Sequence, residues 1–183
     1  MKRSISTVFQ GAALLLLLAS LVVFTGCVKE QDQVTAQELL DQALAAVDQT
    51  RLAADLAAID DSLEMRGLQD RVEIEPNGVR YIVDTLGTGI TPTLESAIRI
   101  KYSGRLLKTN AQFDSSNDAV FNLFRLIIGF QTTIPRLPVG SKATLYIPSG
   151  YGYGPEDSFD GAGNVVIPKN SNLVFAVEIL DAL

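Results

Sequence analysis

The stretch SGYGYG, Ser149 to Gly154, sets two tyrosines among three glycines directly after a strand-like run and a proline. A tyrosine placed there brings an apolar ring and a hydroxyl to a point where the backbone is free to turn. The composition narrows the chemistry such groups can serve. Among 183 residues there is no histidine and one cysteine, so Ser-His-Asp and Cys-His catalysis, and zinc sites built from His and Cys, have no material. Shape, apolar surface and oxygen groups remain. On periodicity alone the aromatics Tyr102, Phe113, Phe121, Phe130, Tyr153 and Phe175 read as an ordinary hydrophobic core. Asp114, beside Ser115 and Ser116, reads as an Asx-turn residue.

The elements that must position these residues follow from the period of the apolar pattern. Val79, Tyr81 and Val83 alternate with Arg80 and Asp84, and Ile98, Ile100 and Tyr102 alternate with Arg99 and Lys101. Ala143, Leu145 and Ile147 face away from Lys142 and Thr144, and Leu173, Phe175, Val177 and Ile179 alternate with Asn172 and Glu178. Period 2 of this kind predicts antiparallel strands with one buried face. That face needs a cover, and LIIGFQTTIPRLPVG (126–140) is the apolar segment left to curl into a helix, limited to about two turns by Pro135 and Pro138. One short helix across a curved sheet leaves an open apolar groove beside it, the natural place for a ligand. The predicted class is α+β, for one domain plus an appendage.

Upstream the period is helical. Thr35 and Glu38 form a capping box, Val34 and Leu39 occupy the staple positions, and Gly67 suits the residue after a helix end. Leu40, Leu44 and Val47 are out of phase with Leu52, Leu56, Ile59 and Leu63, so 35–67 is either a kinked helix or a hairpin. It serves as a spacer packed on its own domain or as a dimerising arm.

Lys2 and Arg3, an apolar run to Phe24 and the sequence FTGC have the layout of a leader ending at Cys27. This resembles a bacterial lipoprotein signal (1–26), with Cys27 as the lipidated residue and 27–34 as a solvated tether; Phe24 stands where an aliphatic residue is more typical. An uncleaved anchor helix over Val8–Phe24 is the other reading, near the lower limit of ~17 residues for a span. Loss of the leader's two basic residues, of fifteen set against twenty-one acidic ones, moves the net charge from −6 to −8. Such a surface repels phosphates and argues against nucleic acid as a partner.

Five segments occur in an order that identifies a family: IRIKYSGRLL, AQFDSS, VFNLFRLIIGF, VGSKATLYIPSGYGYG and NVVIPKNSNLVFAVEIL. Over residues 75–183 the chain resembles FKBP-type peptidyl-prolyl cis-trans isomerases, in particular the bacterial MIP-like branch. The resemblance implies an antiparallel sheet of five or six strands wrapped round one short helix. It also implies a pocket. Tyr102, Phe113 and Asp114 form one wall with Phe121 beside them, Leu126 and Ile127 enter the short helix, and Phe130 is the floor. Tyr153, Ile167 and Phe175 close the other side. Ile127 is expected to offer its backbone N–H to a substrate carbonyl, Gly152 and Gly154 to turn the loop at the rim, and Tyr151 to be structural.

The chemistry fits such residues. An X–Pro amide crosses between cis and trans over a barrier of about 18–20 kcal/mol because twisting it breaks resonance. A dry aromatic pocket holds the pyrrolidine ring and favours the twisted amide, whose charge separation is smaller than that of the planar form, while hydrogen bonds to neighbouring carbonyls hold the peptide. No cofactor or metal is required. Three departures from the family pattern stand out: Phe130 replaces the usual tryptophan, Ala119 stands where a basic residue often pairs with the aspartate, and Thr133 and Pro135 sit in a segment that is usually Gly-rich and acidic. The loop 155–164, with Glu156, Asp157 and Asp160, is long; its acids read as a solvated loop rather than a calcium site, since their spacing departs from the EF-hand.

The expectation is therefore a lipid-anchored prolyl isomerase of a Gram-negative cell envelope, at the outer membrane, with the periplasmic or surface side left open. Its partners would be proline-containing peptides and unfolded envelope proteins, with macrolide inhibitors of the family as further ligands of the pocket. The rival readings are an FKBP-like chaperone with little turnover, and a structural lipoprotein whose helix mediates assembly.

Overall fold

The computed structural model describes residues 34–183. The leader 1–26, Cys27 and the tether up to residue 33 lie outside the described residues.

Six strands form the main sheet: β1 (Glu73–Ile74), β2 (Arg80–Thr85), β3 (Ala97–Leu106), β4 (Gln112–Asn122), β5 (Lys142–Ile147) and β8 (Leu173–Ala182). The short strands β6 (Ser158–Phe159) and β7 (Val165–Ile167) pair separately as a hairpin. In the sheet the order is β1-β2-β5-β8-β3-β4, and every neighbouring pair is antiparallel. The FKBP-like architecture implied by the sequence is the one observed, with six strands in the sheet. Strand β8 alternates strictly along Leu173, Phe175, Val177 and Ile179, all buried, because the apolar residues of a period-2 strand share one face.

Over that face lies α3 (Ile128–Thr133), a six-residue helix continued by a 3-10 turn over Ile134–Arg136. Pro135 falls in that turn, where a missing N–H costs no helical bond, so the proline tightens the helix end rather than breaking it. Phe130, Ile134 and Leu137 from this segment interlock with Ile98, Leu145, Phe175 and Ile179 in one apolar core.

The segment 35–67 is a hairpin of α1 (Ala36–Ala45) and α2 (Gln49–Met65). The phase change in the apolar pattern is real, and the break falls at Ala46–Asp48, where Asp48 Oδ1 accepts from Thr50 N at 2.8 Å and Arg51 N at 3.1 Å to start the second helix. Thr35 and Glu38 make the reciprocal capping box, and α2 ends in a Schellman arrangement, with Gly67 N donating to Glu64 O and Leu68 N to Leu63 O. The staple does not bury its partners: Val34 and Leu39 remain 56% and 52% exposed.

One expectation is corrected by α2. Alternation along the strands predicts a single buried face, yet Ile82 and Tyr146, on the opposite face of β2 and β5, are both buried. Ile59 and Leu63 of α2 pack on them in a second apolar cluster. Full burial of a side chain of this size contributes roughly 1.5–3 kcal/mol, enough to seat the helix on the sheet. Among the described residues no helix is long and apolar enough to cross a membrane.

Candidate active site

Beside α3 a cavity of about 150 Å³ opens, lined by Ile100, Tyr102, Asp114, Phe121, Leu126, Ile127, Phe130, Tyr153 and Phe175. Five stretches of chain supply it. Strand β3 gives Ile100 and Tyr102, β4 gives Asp114 and Phe121, the entry to α3 gives Leu126, Ile127 and Phe130, and the loop after β5 gives Tyr153. Strand β8 places Phe175 at the centre.

Phe175 is the hub of the rings. Phe130 meets it edge-on with centroids 4.9 Å apart, Phe113 at 5.5 Å and 83°, and Tyr102 at 6.3 Å, while Tyr102 in turn meets Phe121 at 6.0 Å. Edge-to-face pairs of this kind add about 0.5–1.5 kcal/mol each beyond area burial, so the rings hold one another in place. The approach of Phe113 to Phe175 is permitted by Gly104, the register partner of Phe175 across β3 and β8. A Cβ at Gly104 would stand 2.6 Å from Phe113 Cζ and 2.7 Å from Phe175 Cε1.

The polar atoms lie at the rim. Tyr102 Oη donates to Asp114 Oδ2 at 2.7 Å, and Asp114 Oδ1 accepts from Ser115 N–H at 2.8 Å. The pocket-edge acceptor is the role observed: Asp114 lies within β4 rather than in a turn, its second oxygen bonds the next residue's N–H instead of closing an Asx turn two residues on, and no basic residue pairs with it at Ala119. Burial first, then the bond to Asp114, raises the Tyr102 phenol above its ordinary 10.0. Tyr153 is 44% exposed, and its phenol is raised by burial and by the charge of Asp114, with no hydrogen bond to that carboxylate. Ile127 is the residue before α3; its carbonyl accepts from Phe130 N and Gln131 N, and its own N–H meets no backbone acceptor among the described residues.

Two residues expected in the pocket stand behind it. Phe113 is not on the cavity surface but braces it, edge-on to Tyr153 at 6.2 Å and 88° and to Phe175. Ile167, 4% exposed and paired through its backbone with Ser158 in the β6–β7 hairpin, packs in the main core without lining the cavity. Conversely, Ile100 was not among the expected pocket residues. The signal was present: it lies two residues before Tyr102 on an alternating strand, hence on the same face. Tyr151, 3% exposed, donates its hydroxyl to Asn77 O at 3.0 Å, a structural tie. Gly154 takes φ +73° and turns the chain after Tyr153. In the loop beyond, Asp160 Oδ1 accepts the N–H groups of Ala162 and Asn164, and Asp157 accepts from Lys169 N, so these carboxylates serve the turn and the hairpin separately.

Chemically the cavity is an apolar cup with donors at its edge. A closed apolar cavity of ~150 Å³ stays dry and takes up benzene, so this volume suits a five-membered ring. Residues 89–180 match the family described as FKBP-type peptidyl-prolyl cis-trans isomerase. The chain is 33% identical over 155 residues to the FKBP-type peptidyl-prolyl cis-trans isomerase FkpA of Aeromonas hydrophila, covering 79% of this chain and 55% of that protein, a little over half its length. It is 37% identical to FK506-binding protein 1 of Gibberella zeae, covering 56% of this chain and 96% of that one. Among solved structures it resembles a peptidyl-prolyl cis-trans isomerase from Pseudomonas syringae pv. tomato with a TM-score of 0.60 and 28% identity, covering 71% of this chain and 94% of that one. FkpA of Escherichia coli superposes with a TM-score of 0.59 and 27% identity, covering 80% and 63%.

Proposed function

Because this chain belongs to the FKBP-type peptidyl-prolyl cis-trans isomerase family, we propose that it accelerates cis-trans rotation of X–Pro bonds in envelope proteins, held at the membrane through lipidated Cys27. The observation that carries this reading is the convergence of Tyr102, Phe121, Phe130, Tyr153 and Phe175 on one apolar cup of about 150 Å³. The pyrrolidine ring sits on Phe130 and Phe175. Around it the apolar walls exclude water and so favour the twisted amide over the more polar planar one.

Two donors at the rim fix the peptide on either side of the rotating bond. The Ile127 N–H and the Tyr153 hydroxyl each take a substrate carbonyl, leaving the amide between them free to turn. Tyr102, already committed to Asp114, packs as a wall. No bond is made or broken, and each ~1.4 kcal/mol of selective stabilisation of the twisted state gives tenfold in rate. Substrates with an apolar residue before the proline suit the walls formed by Ile100 and Phe121.

An isomerisation assay on an X–Pro peptide tests the reading, with wild type beside Tyr153→Phe and Phe113→Ala. Acceleration by wild type that falls in both variants supports it. Tight peptide binding with an uncatalysed rate in all three replaces it with a chaperone that holds exposed proline segments. For the anchor, expression of the full chain in a Gram-negative host followed by mass spectrometry of the N-terminus is decisive. A diacylglyceryl group on Cys27, and release of the protein to the soluble fraction in Cys27→Ser, are the expected results; an intact leader with an unmodified Cys27 sinks the lipid anchor and leaves the uncleaved anchor helix in its place.

A further inference from the structure

Two residues one turn apart on α2 reach the loop that carries Tyr153. Asp55 is 1% exposed, and its Oδ2 accepts both the Ser149 N–H, at 2.9 Å, and the Ser149 hydroxyl. The Ser149 carbonyl in turn accepts from Gly152 N at 3.0 Å and Gly154 N at 2.9 Å, the two amides that bracket Tyr153. Arg51 lies four residues before Asp55 and pairs with its other oxygen at 2.7 Å. The same guanidinium donates to Asn170 O at 2.8 Å, and Asn170 N donates to Gly154 O at 2.9 Å. Asn172 closes the ring of contacts, accepting from Ser149 N at 3.0 Å and donating to Asp55 O at 3.2 Å.

A buried carboxylate left without partners is costly, so a chain keeps one only where its bonds are met. Here all of them run either to the other member of the helix pair or to the segments on both sides of the loop. We infer that Asp55, supported by Arg51, is a positioning residue for the isomerase site: the N-terminal hairpin fixes Ser149, and Ser149 fixes the turn that presents Tyr153 to the cup. The hairpin is thus part of the catalytic unit rather than a spacer. This rests on the isomerase reading for its kinetic consequence and on geometry alone for its structural one.

The test compares Asp55→Asn and Ser149→Ala with Ile59→Val in the full chain. Ile59→Val also sits on α2 and loosens its packing, but touches neither Ser149 nor the loop. Backbone amide NMR shifts of Gly152, Tyr153 and Gly154, thermal midpoints, and kcat and KM on an X–Pro peptide are measured for each. Asp55→Asn is expected to shift those three amides and to lower kcat/KM about tenfold, with the greater part in kcat. Ser149→Ala, which removes one arm, should show the same pattern at smaller amplitude; it carries the test alone if Asp55→Asn does not fold. Ile59→Val should lower the thermal midpoint with the Tyr153 amide and kcat unmoved. Unchanged loop amides in the Asp55 and Ser149 variants overturn the proposal, as does an equal response to Ile59→Val. Absence of acceleration by wild type overturns the isomerase reading instead, while the amide shifts still decide the positioning of the loop.

Discussion

The ring of Phe130 stands edge-on to that of Phe175, with centroids 4.9 Å apart and planes at 89°. One residue belongs to the short helix and the other to the centre of the sheet, and both are 4% exposed. The contact joins the cover to the sheet at the floor of the cup, so the packing of helix on sheet and the lining of the cavity share the same two side chains.

Phe130→Ala should therefore damage both. A buried Phe→Ala change costs about 3–5 kcal/mol, read as a lower urea midpoint at unchanged slope. Phe130→Leu keeps most of the volume and gives up the ring contact, about 0.5–1.5 kcal/mol. Isomerase activity should fall at least several-fold in Phe130→Leu while the fold persists. Full activity in that variant would show that the floor contributes volume alone.

Gly104→Ala tests the second constraint on the cup. The new methyl would meet the rings of Phe113 and Phe175 at 2.6–2.8 Å, so one ring must move. Overpacking of this kind costs about 1–3 kcal/mol. The expected result is a modest loss of thermal stability with a loss of activity near tenfold, ~1.4 kcal/mol of transition-state stabilisation. Wild-type kinetics would mean that the two rings adjust without disturbing the cavity.

These constraints were unevenly legible in the sequence. Strand β8 announces itself through strict alternation, and the α1 start through Thr35 and Glu38, because each is a local pattern. Strand β4 does not: it is an edge strand of mostly exposed polar residues, from Ser115 to Ala119, and its register with β3 shifts twice. The burial of Tyr146 was hidden for another reason. Period 2 reports one covered face, and the cover on the other face comes from α2, more than eighty residues away in sequence. The link between Asp55 and Ser149 is of the same kind, since a buried carboxylate in a helix looks like any solvated one until its partner is placed. Ile167 misled in the opposite direction, since its motif implied the pocket while its side chain packs in the core and does not line the cavity.

Alkaline titration offers a test of burial across the whole molecule. All five tyrosines, at 81, 102, 146, 151 and 153, have phenols raised above the ordinary 10.0, each chiefly by burial, with Tyr81 pushed up to about 12 by its added bond to Glu73. An acid whose folded value lies above its unfolded value contributes stability that is complete below pH 10 and lost as pH rises through the folded value. Absorbance near 295 nm should accordingly show little phenolate in the native protein at pH 10, where the urea-unfolded chain is about half ionised. Thermal stability should decline above that pH. Half-ionisation of the native set at pH 10 would contradict the buried placement of Tyr81, Tyr146 and Tyr151.

The bond between Tyr102 and Asp114 can be separated from everything else by a double-mutant cycle. Tyr102→Phe removes the donor and keeps the ring against Phe121 and Phe175, whereas Asp114→Ala removes the acceptor and frees the Ser115 N–H as well. Each single change should destabilise by about 0.5–1.5 kcal/mol, the range for a partly solvated hydrogen bond. If the two groups act as a pair, the double variant loses less than the sum of the single losses, with a coupling of at least ~0.5 kcal/mol. The kinetic expectation differs from that for Tyr153. Because the Tyr102 hydroxyl is spent on Asp114 rather than on substrate, Tyr102→Phe should leave kcat within about threefold of wild type, while Tyr153→Phe loses tenfold or more. Equal losses in the two phenylalanine variants would mean that Tyr102 exchanges its carboxylate for the peptide during the reaction, and the division of labour between the two tyrosines would then fail.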